Sequence, residues 1–153
     1  MIDTESKIYF DSGLAYGKAG KDNQSIEAFN RAIELNPTFA EAYYNRGVAY
    51  ACLGNYNQAI KDYDKAIELK PQAAVAYCNR GAAYGLLNNY NQAIKDYDKA
   101  IELKPEYAEA YCWRGLAYGC LGNDNQLAND LRIAARLGNQ GAQDYLRMLK
   151  ISW

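Results

Sequence analysis

The stretch Asn55-Tyr56-Asn57-Gln58-Ala59-Ile60-Lys61-Asp62-Tyr63-Asp64-Lys65-Ala66-Ile67-Glu68-Leu69-Lys70-Pro71 recurs letter for letter from Asn89 to Pro105, an offset of 34 residues. A fixed period of this size marks stacked helical hairpins, each of which buries its apolar side only against a neighbour. Laid across the chain, the period gives repeats 6–39, 40–73, 74–107 and 108–141. The eighth place holds Gly13, Gly47, Gly81 and Gly115, and the eleventh Tyr16, Tyr50, Tyr84 and Tyr118. The twenty-seventh holds Ala32, Ala66, Ala100 and Ala134; the thirty-second holds Pro37, Pro71 and Pro105, but Asn139 in the last repeat.

Each repeat carries two apolar-periodic segments at helical spacing, Ala40–Leu53 and Tyr56–Leu69 in the second. Gly54 tolerates the left-handed turn that ends a first helix, and Asn88 takes that place in the third repeat. Asn55 is expected to cap the second helix, with Gln58 reaching back in a capping box; Asn89 with Gln92 and Asn123 with Gln126 repeat the pattern. Pro71 stops the second helix by disfavouring a helical residue before it. Glycine in mid-helix costs roughly 1 kcal/mol against alanine, so the eighth place predicts a close approach, opposite Ala59 or Ala93, that returns more. The tyrosines, with Tyr63, Tyr97 and Phe29, are expected to fill the space between hairpins.

This small, large, small, small, aromatic, alanine, proline pattern resembles the tetratricopeptide repeat family over nearly the whole chain. The resemblance implies an all-α fold, a right-handed α-solenoid of four tandem helix-turn-helix hairpins, in one domain over residues 1–153. The end repeats depart from the pattern. The first has Ser25 for alanine and Lys21 in place of the asparagine cap; the fourth has Leu127 and Leu131 and no proline, so its hairpin is expected to pack differently. Beyond it, Ala142, Tyr145, Leu146 and Leu149 form one stripe against Gln143, Asp144, Arg147 and Lys150. That predicts a capping helix over 140–151 lying on the fourth hairpin. The alternative is a partner-binding or membrane-surface helix, which would want a more basic polar face.

Composition limits the function. The 153 residues are 50% hydrophobic with net charge −1, without the basic patch that nucleic acid requires. No apolar run approaches the roughly 18 residues of a membrane span. The first residues lack the order of a signal peptide, and a cytoplasmic protein is expected. Histidine is absent, which removes the commonest general base and metal ligand. Cys52, Cys78, Cys112 and Cys120 form no C-x-x-C pair and read as reduced thiols. With no catalytic triad, P-loop or dinucleotide fingerprint, the expectation is a non-enzyme with no cofactor and no metal. Asp62 and Asp64 read as a solvated, charge-mixed helix surface.

Comparison of the repeats gives a second signal. The seventh place holds Arg46, Arg80 and Arg114 but Ser12; the twenty-third holds Asp62, Asp96 and Asp130 but Ala28. Arginine and aspartate come and go together. We therefore expect each arginine to pair within its own hairpin rather than with the preceding one; the alternative is a row of arginines that grips an acidic ligand.

By resemblance, first helices line a concave groove that receives an extended peptide or a partner's helix. The matching positions include Phe10, Asp11, Tyr44, Asn45, Val48, Cys78, Asn79, Ala82, Cys112, Trp113 and Leu116. Asn45 and Asn79 stand where many family members hold peptide backbone, since a carboxamide both donates and accepts; the alternative is a solvated asparagine. Trp113 is either an exposed anchor or packed beneath the capping helix. Some members clamp a chaperone tail's carboxylate with basic residues, but those places hold Val75 and Asn79, or Glu109 and Trp113 one repeat on. An apolar or mixed peptide is expected instead. The competing expectation is self-assembly, in which the first hairpin's flank or the C-terminal helix docks on another copy as a homo-oligomer.

Overall fold

A computed structural model describes residues 4–153 as nine α-helices, with no strand among them. They fall into two compact units. The N-terminal unit, Met1–Gln72, contains α1 (Thr4–Lys18), α2 (Asp22–Leu35), α3 (Ala40–Cys52) and α4 (Tyr56–Leu69). The C-terminal unit, Ala73–Trp153, contains α5 (Ala74–Leu86), α6 (Tyr90–Leu103), α7 (Ala108–Cys120), α8 (Asp124–Arg136) and α9 (Gln140–Met148). In the first, α1 packs on α2, α2 on α3 and α3 on α4; in the second, each helix from α5 to α9 packs on the next.

The turn inside each hairpin explains why the helices pair. At the end of α3, Gly54 takes φ +76°; its N–H donates to the Ala51 carbonyl and the Asn55 N–H to the Tyr50 carbonyl, at 3.0 and 2.9 Å. This is the Schellman pattern. It recurs after α5, where Asn88 at φ +61° supplies the left-handed residue, and after α7 at Gly122. The expected capping box does not form, for a reason visible here: the N–H that the glutamine would bind already serves the preceding helix. What remains is half a cap. Asn89 and Asn123 accept from the N–H of Gln92 and Gln126, at 3.4 and 3.2 Å, whereas Asn55 makes no side-chain cap. The second helices end as the prolines require: Asn36, Lys70 and Lys104 all adopt extended φ near −140° before Pro37, Pro71 and Pro105.

The close approaches fall at the eighth place. A methyl on Gly81 would stand 2.9 Å from the Tyr97 ring and 3.1 Å from the Ala93 carbonyl oxygen. In the fourth hairpin the neighbours are instead Asp130, the Leu127 carbonyl and Leu131, so its packing differs as its sequence does. Around these contacts, Phe10, Phe29 and Phe39 form an aromatic cluster in the N-terminal unit, with ring centroids 5.8 and 4.7 Å apart. Tyr97, Ala93, Ala100 and Ala110 form the core of the C-terminal unit, against which Tyr84 and Tyr118 are partly buried. The tyrosine stripe is not uniformly core, however: Tyr63 and Tyr97 are fully buried, but Tyr16 is exposed, on a helix that packs on α2 and touches α3.

Helix α9 is shorter than its stripe suggested. It ends at Met148 rather than 151, because Lys150 turns left-handed at φ +57° and Ile151 donates back to the Leu146 carbonyl. Leu149 is consequently exposed, and Ile151, partly buried, takes its place against the cluster of Leu131, Ala134, Ala135, Ala142 and Leu146. Each buried aliphatic side chain of that size contributes roughly 1.5–3 kcal/mol, enough to hold a nine-residue helix that would not persist alone. None of the nine helices is long and apolar enough to cross a membrane.

Candidate functional site

The first helices carry two opposed kinds of residue. On one side stand the arginines. Arg46 donates from Nε and Nη2 to both oxygens of Asp62, at 2.8 and 2.7 Å; Arg80 does the same to Asp96 at 2.8 and 2.6 Å, and Arg114 to Asp130 at 2.8 Å in both bonds. The aspartates are buried, so Asp62 does not belong to a solvated surface as its sequence context suggested. The third guanidinium nitrogen has its own role. Arg46 Nη1 donates to Asn30 at 2.7 Å and Arg114 Nη1 to Asp98 at 2.6 Å, both on the preceding hairpin. Pairing within a hairpin therefore does not exclude a bond to the one before, because five N–H donors in a fork serve both. The Asp130 hydrogen bond, working against burial, raises the Arg114 pKa further with help from Asp98. Each arginine also lies over a tyrosine of its own helix, Tyr43, Tyr77 or Tyr111, 5.4 Å from the ring centroid. These guanidinium groups are thus engaged internally rather than presented to a ligand.

The other side of the first helices holds the residues matched to the groove, and the structure divides them. Phe10 and Cys78 are core residues, 9% and 3% exposed, and offer no surface. Asp11 is exposed and paired with Lys7 one turn back. Tyr44 packs its ring 5.9 Å from Tyr63. Asn45, Val48, Asn79, Ala82, Cys112 and Leu116 are half-buried. Asn45 donates from Nδ2 to the Glu41 carbonyl at 2.7 Å, so its amide is already oriented along its helix. Asn45, Val48 and Cys52 border a cavity of about 350 Å³ that Leu14, Ser25 and Phe29 also line.

In the C-terminal unit Trp113 is 49% exposed rather than packed under α9. With Leu116 it separates two cavities. One, of about 280 Å³, is lined by Ala82, Leu86, Tyr90 and Tyr97; the other, of about 370 Å³, by Glu109, Cys112, Leu131 and Tyr145. Burial pushes the Cys78 thiol up to about 11, opposed by a Tyr107 hydrogen bond and reinforced by Glu109; burial and Glu109 likewise raise Cys112. Both are therefore packing residues and poor nucleophiles. All four cysteines are free thiols.

Two features escaped the sequence. Ser25, where other repeats have alanine or leucine, donates from its hydroxyl to the Gly13 carbonyl at 2.8 Å, a buried bond that ties α2 to α1. Ser12 and Ala28, which replace an arginine–aspartate pair, border an open furrow of about 500 Å³ on α1 and α2. The missing pair was a usable signal for the furrow; nothing in the sequence signals the serine bond.

The tetratricopeptide repeat model matches residues 40–72 and 74–107, and a second model of the same repeat matches residues 13–54. The chain belongs to the tetratricopeptide repeat family. No curated protein matches it in sequence. Among solved structures it is similar to MamA, with 30% identity and a TM-score of 0.84 over 90% of this chain and 81% of that one. It is also similar to the first tetratricopeptide domain of Spaghetti (RPAP3) bound to the HSP90 peptide SRMEEVD, with 28% identity and a TM-score of 0.77 over 79% of this chain and 97% of that one. The tetratricopeptide domain of Arabidopsis OM64 matches at 29% identity, with a TM-score of 0.74 over 75% of this chain and 95% of that one.

Proposed function

We propose that this chain is a non-enzymatic protein-interaction module that holds a peptide or a partner's helix on the first-helix faces of its repeats. The observation that carries the reading is Trp113, a large aromatic half in solvent between two apolar cavities. Burying such a ring costs little conformational freedom and yields much contact area, which is why tryptophan dominates binding hot spots. The likeness to a peptide-bound relative supports it. Asn45 and Asn79 are the proposed backbone-holding residues, and the free thiols suit a reducing cytoplasm.

Selection of displayed peptides on the purified chain, followed by titration, tests this. Asn45→Ala with Asn79→Ala should weaken the selected peptides several-fold, and unchanged affinity would remove the groove reading. Self-assembly is the second reading, favoured by the furrow beside Ser12 and Ala28 and by exposed Ile8, Tyr9 and Tyr16 on the same helix. Light scattering across concentration distinguishes the two, since only self-assembly raises the mass with concentration.

A further inference from the structure

We infer that the α7 face of the C-terminal unit takes a peptide segment in which an arginine or lysine stands beside a bulky apolar residue, with the cation between the Trp113 indole and the Glu109 carboxylate. This rests on the interaction-module reading and narrows its partner. Glu109 and Trp113 are four residues apart on one helix, hence neighbours on one face, and both border the cavity of about 370 Å³.

Glu41, at Glu109's place in the second repeat, is bound by Lys70 of its own hairpin. The place of Lys70 in the fourth repeat is Gly138, so Glu109 has lost its cation and, among the described residues, forms no ion pair. Tyr43, Tyr77 and Tyr111 each carry an arginine over the ring, whereas the Trp113 indole carries neither a cation nor a ring among the described residues. An anion and an aromatic face thus stand open together where the repeat pattern would have closed the anion.

Charge complementarity selects the occupant. No cation lines either cavity, so an incoming ammonium or guanidinium meets only Glu109, while an acidic side chain would be repelled by it. Tryptophan is the strongest aromatic partner for a cation. The neighbouring cavity of about 280 Å³ has no charged wall and fits the adjacent apolar side chain, with Trp113 and Leu116 as the shared ridge.

The test uses the full chain with Trp153→Phe, an exposed position, so that Trp113 is the sole indole reporter. Capped peptides of equal length with a Leu-Arg, Leu-Glu or Ser-Arg centre are titrated against its emission. The Leu-Arg peptide should bind about tenfold more tightly than either other peptide. Glu109→Gln should reduce the preference for Leu-Arg over Leu-Glu to about threefold or less, and Glu109→Lys should reverse it. If Leu-Glu binds as tightly as Leu-Arg, or the preference survives Glu109→Gln, the inference is wrong while the module reading stands. If no peptide perturbs Trp113, the inference is also wrong, and the module reading is then decided by the Asn45 and Asn79 variants.

Discussion

Replacing Arg114 and Asp130 by the residues that the first hairpin uses at the same places, Ser12 and Ala28, gives a sharp test of how the hairpins are held. The Asp130 side chain is 0% exposed and accepts two bonds from Arg114, whose own side chain is 18% exposed. Arg114→Ser strands a buried carboxylate, a change that costs on the order of 3–5 kcal/mol. Asp130→Ala should cost less, roughly 1–3 kcal/mol, because Arg114 keeps its bond to the half-exposed Asp98 and can reach water. The double variant removes the stranded charge, so it should cost no more than Arg114→Ser alone, with a coupling of at least about 1 kcal/mol between the two sites. Urea unfolding followed by circular dichroism measures all four proteins, with equal slopes required because repeat arrays unfold as coupled units. Additive losses, or a greater loss for Asp130→Ala than for Arg114→Ser, would refute the reasoning.

Three further outcomes follow from the same geometry. Gly81→Ala should destabilise by roughly 1–3 kcal/mol despite alanine's better helix propensity, since its methyl meets both the Tyr97 ring and a backbone carbonyl; a rise in melting temperature would contradict this. Leu146→Ala should cost about 2–4 kcal/mol and Leu149→Ala less than about 0.5, as of the two only Leu146 is buried, on the side of α9 that packs on α8; equal losses would mean α9 does not dock as described. Cys78 is held neutral, its pKa raised from 9.0 to about 11. The folded state therefore binds its proton more tightly, and this stability is complete below pH 9 and is lost as pH climbs through 11. It amounts to about 2–3 kcal/mol, and Cys78→Ala should show a flatter fall between pH 8 and 11 than the parent.

Most of the architecture was legible because the chain states it repeatedly. One copy of the Asn55–Pro71 stretch would be an amphipathic segment; a second at fixed offset shows which glycines, alanines and prolines the hairpin requires. Loss of arginine and aspartate together in the first repeat gave the buried pairs by the same comparison. Its failures have a common cause: they depend on what lies next to a residue rather than on its place in the repeat. Phe10 and Cys78 share the fifth place with half-buried Tyr44 and Cys112, yet local packing draws only the first two into the core. The capping box failed because one N–H was claimed from upstream, and α9 stopped early because Lys150 adopts a conformation that its residue type does not advertise.

In each of the turns after α3, α5 and α7, one residue closes the outgoing helix with its N–H and opens the incoming one. Such a joint has no slack. One extra residue there would swing the following helix by about 100° around its axis, given 3.6 residues per turn, and carry its buried stripe away from its partner. The stretches around Pro37, Pro71 and Pro105 share no residue in this way. Loop grafts, tags or cleavage sites should therefore be accepted at the proline joints and rejected at the glycine ones, which makes the hairpin, not the helix, the smallest piece that can be moved, copied or exchanged.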